Sequence, residues 1–311
     1  MHEAPAAEAS RQTIVMTGGT SGFGRLALSH LQGPNRRIMV GARTVAAGEA
    51  TVLPLDLSSL DSVRRFAGRV LRETDGPIDT LILNAGLHGT NPAARSADGY
   101  EPTFATNHLG HYLLLRLLMP RLADDARVIV TTSGTHDPAE RTGFPPPRHA
   151  DARLLAYPEQ DAGIDLSSAV AAGRAFYAAS KLANVLTVRK LARVAGEEGR
   201  AWTALAFCPG QVPGTRLVRD YPAPMRLGWR LAGLLARIPL AARFMGVNRL
   251  QAVAAALAGL AKGDLRPPPG RLYAAVRRGA ITWPDPSELA RRDDIADALW
   301  QDSAVLVGLP A

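Results

Sequence analysis

One cysteine, Cys208, is all that this chain of 311 residues contains. No intrachain disulfide and no cysteine-based zinc site can form from it, which makes a reducing, cytoplasmic setting the economical expectation. Aromatic residues are scarce at 5%. No run of ~18 uncharged apolar residues exists, so no spanning helix is expected. Residues 1–11 carry two glutamates and no apolar run; no secretory signal is expected there, and a flexible tail is. Lysine is rare too: of 36 basic residues only three are lysine, the rest arginine. What is abundant is apolar material, 47% of the chain, together with 29 glycines and 23 prolines. That balance excludes disorder and fibrous repeats and fits packed helices and strands joined by many turns.

The formal charge of +8 raises the question of polyanion binding. Its placement argues against nucleic acid, because residues 213–250 hold seven arginines (Arg216, Arg219, Arg226, Arg230, Arg237, Arg243 and Arg249) against the single acid Asp220. The remainder of the chain is near neutral, which is not the footprint of a nucleic-acid binder.

From residue 12 onward, short runs rich in Val, Ile and Leu alternate with helical periodicity. Residues 13–16, 37–40, 51–55, 80–83, 127–131 and 202–207 read as buried strands. Residues 22–32, 60–73, 105–122 and 174–195 read as helices, giving an α/β doubly wound parallel sheet, a Rossmann fold, in one domain over residues 12–311. The crossover at residues 44–50 is too short for more than one helical turn. Residues 134–173, with Pro145-Pro146-Pro147, read as a long surface excursion. Residues 263–311 add a strand at 271–275 and a helix at 288–306.

After the first strand comes Thr17-Gly18-Gly19-Thr20-Ser21-Gly22-Phe23-Gly24, then a helix. Strand, glycine turn and helix N-terminus together form a cradle for a pyrophosphate, since glycines admit positive φ and close approach of backbone N–H groups. The plainer reading is a tight turn where a helix packs on a strand. Nineteen residues past Gly24, where an acid would grip an adenosine 2′-hydroxyl, stands Arg43. An arginine there pairs with a 2′-phosphate, so NADP(H) is preferred over NAD, unless Arg43 is simply a surface residue. Asp56 and Leu57 follow the third strand; Asp56 either accepts from an adenine amino group or helps to cap the next helix.

In Tyr177-Ala178-Ala179-Ser180-Lys181 a tyrosine and a lysine stand four apart on a predicted helix, on one face. A tyrosine titrates near ~10, and an adjacent ammonium lowers that value, as acid–base work near neutrality requires. Chance alone also produces such pairs on surfaces. His108 and His111 are three apart with no third ligand evident, so no metal is expected.

These pieces, in this order, make the chain resemble the short-chain dehydrogenase/reductase superfamily: the glycine turn, Asn84-Ala85-Gly86, Asn107, Ser133, Tyr177 with Lys181, and Pro209-Gly210. Asp98-Gly99-Tyr100-Glu101, Thr106-Asn107-His108-Leu109-Gly110-His111, the segment from Asp56 to Val63 and Ser180-Lys181-Leu182-Ala183-Asn184 look like its retinol dehydrogenase and protochlorophyllide reductase branch. The resemblance implies that Tyr177 exchanges a proton with the substrate oxygen, Lys181 tunes it and holds the nicotinamide ribose, Ser133 steadies the carbonyl, and Asn107 anchors a water-linked proton relay. It further implies that Asn84, Ala85 and Gly86 contact the adenosine side and that Pro209, Gly210 and Val212 border the nicotinamide. The expected substrate is an apolar, bulky carbonyl or alcohol. Reduction of a conjugated C=C bond and a nonenzymatic dinucleotide sensor are the alternatives.

Two features depart from compact relatives. Ser133 and Tyr177 are 44 residues apart, a lengthening also found in protochlorophyllide reductases, and the excursion between them is expected to cap the substrate. Those enzymes carry cysteines near the pigment, whereas Cys208 reads as a small buried hydrophobe, which speaks against pigment photoreduction. Residues 213–250 interleave arginines with leucines as an amphipathic helix pair; in this family that position forms a substrate lid, and peripheral membrane contact is the other reading. The sequence leaves homo-oligomerisation undetermined.

Overall fold

The computed structural model describes residues 11–44, 50–213 and 223–310. The tail at residues 1–10, residues 45–49 of the short crossover and residues 214–222, with Arg216, Arg219 and Asp220, lie outside the described residues. In chain order the elements are β1 (Gln12–Thr17), α1 (Gly22–Leu31), β2 (Arg36–Ala42), β3 (Thr51–Pro54), α2 (Leu60–Glu73) and β4 (Ile78–Leu83). Then come α3 (Pro102–Phe104), a π-helical turn (Ala105–Leu109) and α4 (Gly110–Leu118), followed by β5 (Leu122–Thr131), α5 (Ala152–Ala156), α6 (Ala169–Glu197) and β6 (Thr203–Cys208). The chain continues through α7 (Ala223–Leu235), α8 (Pro239–Phe244), α9 (Leu250–Lys262), β7 (Tyr273–Arg277), β8 (Ala280–Thr282) and α10 (Asp293–Leu306).

The sheet runs β3-β2-β1-β4-β5-β6-β7-β8, parallel throughout except for β8. Successive side chains of a strand face opposite sides, so a strand covered on both faces must be apolar at every position. Val15 joins one buried layer while Ile14 and Met16 join the other. The same alternation places Val128 and Val130 opposite Ile129, and Ala204 and Ala206 opposite Leu205 and Phe207. One layer is completed by α2, α4, α6 and α10, the other by α1 and α9. Each fully buried Leu or Phe in these layers contributes about 1.5–3 kcal/mol relative to exposure.

The strand order reverses between β1 and β4, and at such a point the loops leaving the carboxyl ends diverge and open a crevice. Close packing brings the loop after β3 against α4: a Cβ added to Gly110 would lie 2.2 Å from the Leu57 carbonyl oxygen. Ser59 caps α2 by accepting from the Ser62 amide, while the Asp56 carboxylate closes its own turn by accepting from the Ser58 amide and hydroxyl. The cap expected somewhere in residues 56–59 therefore falls to Ser59.

Four differences from the sequence reading have local causes. β5 begins at Leu122, where a helix was expected to end, because its first half is edged by exposed Asp124 and Asp125 and lacks an apolar run. The strand expected at 271–275 runs over Tyr273–Arg277, and β8 was not anticipated. It returns through Arg278 and Gly279, both at positive φ (53° and 82°), the tight hairpin geometry that a short arginine-glycine pair disguises. The 134–173 segment is not merely a surface excursion, since α5 sends Ala152, Leu155 and Ala156 into the core. Within the segment, Asp161 ties together the two sides of α5, accepting two hydrogen bonds from Arg148 (2.9 and 3.0 Å) and one from His149, a set that holds its carboxyl well below the usual range.

Gly110→Ala should force the Leu57 carbonyl off α4 at a cost of about 1–3 kcal/mol. Urea unfolding should show a lower midpoint with an unchanged slope.

Candidate active site

The glycine turn lies at the carboxyl end of β1. Gly18 (φ 70°) and Gly22 (φ 57°) occupy backbone conformations that favour glycine. A Cβ on Gly24 would lie 2.1 Å from the Gly18 carbonyl oxygen, so the turn folds back against the first turn of α1. Ser21 occupies the N-cap position without a side-chain cap bond, and both it and Thr20 are exposed. The first N–H groups of α1 thus remain available to an anion, and the half-buried Phe23 packs inward to fix the helix.

Asn84 ties this turn to the rest of the site. Its side-chain amide donates to Gly18 O (3.1 Å) and accepts from the Thr131 hydroxyl (3.0 Å). The amides of Asn84 and Ala85 both donate to the Thr17 hydroxyl (2.9 and 3.1 Å), which also meets His111 Nε2 at 2.9 Å. A hydroxyl has one proton. With both amides donating to it, Thr17 must give that proton to His111 Nε2, and His111 must carry its own on Nδ1, donating to the Asn107 carbonyl (3.1 Å). Burial keeps the ring neutral, pushing the His111 pKa down to about 3, with the Lys181 charge acting in the same direction. His108 is likewise pushed down to about 3 by burial; it meets Ser303 Oγ at 2.8 Å and stacks on Phe104 and Tyr112. Among the described residues no cluster of three or more metal-ligating side chains is found.

Asn107 sits in the π-helical turn. Its side chain accepts from the Leu87 amide (2.8 Å) and donates to the Leu87 carbonyl (2.9 Å) and the Ser180 hydroxyl (3.0 Å). The amide side chain therefore acts as a clamp on the chain just past Gly86, while the Asn107 backbone carbonyl meets His111.

Tyr177 and Lys181 share one face of α6, with the Lys181 ammonium 5.5 Å from the centre of the Tyr177 ring. Both are buried, Lys181 at 2% exposure. Desolvation lowers the Lys181 pKa to about 8, partly offset by Cys208 nearby. Of its three N–H donors, Thr131 O takes one at 3.1 Å. Among the described residues no other hydrogen bond from it is found, and a Cβ on Gly86 would stand 3.5 Å from Nζ. A buried ammonium with donors to spare, beside a glycine that leaves room, fits the vicinal hydroxyls of a ribose. Together with the open N-terminus of α1, it makes the residues present suited to a dinucleotide.

At the end of β5 two hydroxyls compete for one role. Thr132 is buried and donates to Lys181 O (2.7 Å), whereas Ser133 is half-buried and accepts from the Thr135 amide (3.3 Å), so its proton stays available. After β6, Gly210 (φ 67°) is held by Asn248, whose side chain donates to Pro209 O (2.9 Å) and Val276 O (2.6 Å). Val212 is buried in the α1–α9 layer. Arg43 is exposed one residue past β2, with no ion-pair partner among the described residues, and Asp56 is exposed past β3 beside buried Leu57. Cys208 is buried, its thiol pushed up by desolvation, in keeping with a packing role.

Sequence reasoning missed three contributors. His88 is buried two residues beyond Gly86, its ring centre 5.0 Å from that of Tyr177. Phe144, from the 134–173 excursion, lies 5.7 Å from Tyr177 and 5.4 Å from His88, so that segment does wall the tyrosine. Asn248 had no local signal, since its partners are 28 to 39 residues away. The His111 bridge to Thr17 joins residues 94 apart and was equally invisible.

A phosphate-binding turn at the switch point of a doubly wound sheet, with a buried tyrosine–lysine pair across the crevice, defines a nicotinamide-dinucleotide oxidoreductase of the Rossmann class. The comparisons with known proteins agree. The family profile described as short chain dehydrogenase matches residues 12–141. Human retinol dehydrogenase 12 is 32% identical over 96% of this chain and 87% of its own. Protochlorophyllide reductase A of rice is 32% identical over 69% of this chain and 61% of its own. A crystal structure of an uncharacterized protein from Mycobacterium paratuberculosis superposes with a TM-score of 0.66 at 25% identity, covering 97% of this chain and 95% of that one. The chain belongs to the short-chain dehydrogenase/reductase family.

The neutral state of His111 can be tested through linkage. Its folded pKa is depressed below the unfolded value, so its contribution to stability is complete above about 6.5 and is lost as pH falls toward about 3. Glu101, raised to about 7 by burial, acts in the opposite sense, so the comparison must be between variants. Across pH 6 to 4, His111→Asn should remove up to about 1.4 kcal/mol per pH unit from the slope of unfolding free energy measured in urea.

Proposed function

We propose that this protein is an NADP(H)-dependent dehydrogenase/reductase that interconverts a carbonyl and an alcohol on an apolar, bulky substrate. The observation that carries the reading is the Lys181 ammonium held 5.5 Å from the Tyr177 ring, with both side chains buried. A positive charge at low dielectric stabilises phenolate, which lets the tyrosine give a proton to a nascent alkoxide or take one from an alcohol near neutral pH. NADPH, when bound, supplies the hydride that turns the carbonyl carbon into a carbinol carbon. Tyr177 delivers the proton to the oxygen, and Ser133 donates a hydrogen bond to that oxygen as its negative charge develops. Lys181 keeps the phenol primed and offers its remaining N–H donors to the ribose hydroxyls. The Asn107 carbonyl, steadied by His111, offers its second lone pair to a water that restores the tyrosine proton.

The coenzyme would lie across the switch point. Gly18, Thr20, Ser21, Gly22, Phe23 and Gly24 receive the pyrophosphate, Asn84, Ala85 and Gly86 the adenosine side, and Pro209, Gly210 and Val212 the nicotinamide. Preference for the 2′-phosphate rests on Arg43, exposed where NAD-preferring folds place an acid. Asp56 can accept from the adenine amino group with the carboxylate oxygen not used in its turn. The apolar substrate class is supported by the aromatic wall of His88 and Phe144 around Tyr177.

Reduction of a conjugated C=C bond is supported by the similarity to the rice protochlorophyllide reductase. The hydroxyl set at the tyrosine favours carbonyl chemistry, and product analysis separates an alcohol from a saturated bond.

With NADPH and a panel of bulky ketones, aldehydes and enones, followed by nicotinamide absorbance, Tyr177→Phe should lose at least about 10³-fold in kcat while NADPH binding stays within a few-fold. A Tyr177→Phe protein of undiminished turnover sinks the mechanism. Arg43→Asp should shift the ratio of kcat/KM toward NADH by 10-fold or more, corresponding to about 1.4 kcal/mol.

A further inference from the structure

Apolar exposure in this protein is concentrated in one place. Of the nine exposed large hydrophobic side chains among the described residues, eight lie between Met225 and Phe244; the ninth is Val305. Phe244 is 93% exposed and Leu240 77%. A contiguous patch of this kind marks an interaction surface rather than the scattered exposure normal on soluble proteins.

The segment behaves as a separate appendage. α7 buries none of its residues. Leu227, Leu231, Leu234 and Leu235 recur at helical spacing, so they form one stripe, which Ile238 extends beyond the helix end. Behind it, Ala236, Ala242 and Val247 form a small cluster of their own with Met245. The appendage is anchored where the chain returns to the site: Asn248 bonds to Pro209 O and Val276 O, at the carboxyl ends of β6 and β7. The appendage therefore rejoins the sheet at the carboxyl ends of its strands, the end at which Lys181 meets Thr131 O.

Charge identifies the occupant. Arg230 and Arg237 are exposed, and no Asp or Glu occurs from residue 223 to residue 249. An apolar stripe with basic residues and no acids beside it matches the headgroup and acyl boundary of an anionic bilayer, where leucines and phenylalanine enter the acyl region and arginines meet phosphates. A second copy of the chain applied symmetrically to this patch would bring arginines toward arginines with no acid in the patch to answer them. At 13 residues α7 is too short to span a bilayer, and no helix among the described residues is long and apolar enough to do so. We infer that the α7–α8 appendage docks this protein, lying in the interfacial plane, on the surface of an anionic lipid bilayer. On the oxidoreductase reading, this docking would bring the chain to the phase into which an apolar substrate partitions.

The test is co-sedimentation of the full chain with sized vesicles, one set of phosphatidylcholine alone and one with about a third phosphatidylglycerol. Binding should be at least 10-fold tighter to the anionic set and should weaken with added salt. At about 1 kcal/mol per basic residue, Arg230→Gln/Arg237→Gln should weaken it roughly 30-fold. Leu231→Gln/Leu240→Gln/Phe244→Gln should reduce it at least 10-fold, while Val305→Gln should leave it unchanged. All these side chains are exposed, and circular dichroism checks that the fold persists. Failure of the wild-type chain to sediment with anionic vesicles overturns the inference. So does sedimentation that neither multiple variant weakens, and so does a dimer in sedimentation velocity that the triple variant dissolves, which would assign the patch to a second copy. None of these readouts depends on turnover, so they stand or fall apart from the oxidoreductase reading.

Discussion

A single ammonium kept in the protein interior sets the terms for the rest of the site. At 2% exposure Lys181 has lost most of its hydration, and a charge in that position is costly unless polar groups replace the lost water. The protein supplies one, Thr131 O, and arranges the surrounding backbone so that another ligand can supply more. Desolvation brings the pKa down to about 8, still high enough for the group to be mostly charged at neutral pH, and the low dielectric strengthens its effect on the Tyr177 phenol. Burial thus weakens the charge and amplifies it at once.

A connected set of hydrogen bonds fixes that arrangement. Lys181 donates to Thr131, whose hydroxyl donates to Asn84, whose amide holds Gly18 in the phosphate turn. A second path runs from Thr17 through His111 to Asn107 and on to Ser180 and Leu87. Both cross the switch point and are mostly buried, and each polar group in them would be destabilising if left alone. Because the members are mutually satisfied, the glycine turn, Asn107 and Lys181 are positioned as one unit rather than as separate loops. The π-helical turn at residues 105–109 belongs to this unit, since it is where Asn107 reaches Leu87 and Ser180.

Two appendages with different physics follow β5 and β6. The 134–173 segment is anchored: α5 reaches the core, Asp161 is held by Arg148 and His149, and Phe144 closes on Tyr177. The α7–α8 segment is tied down at Asn248 but leaves its leucines outside. The first shapes the surroundings of the reacting groups. The second presents apolar surface that this chain does not itself cover.

How much of this could be read in advance follows from the range of each signal. Buried parallel strands must be apolar at every position and the phosphate turn must be glycine-rich, so β1 to β6 and the cradle were legible within a few residues. Tyr177 and Lys181 were legible because four residues of helix guarantee a shared face. The strand β8 was not, for its turn is only Arg278-Gly279, and neither was the exposed start of β5. Asn248, His88, Phe144 and the His111–Thr17 bridge act on partners brought near by sheet order, so no local spacing marks them. The sequence by itself determined the layer pattern, the glycine turn and the shared helix face of Tyr177 and Lys181, because each is written in periodicity or short-range backbone need. Only tertiary structure decided which polar groups lose their water together, and desolvation is a property of the assembled neighbourhood.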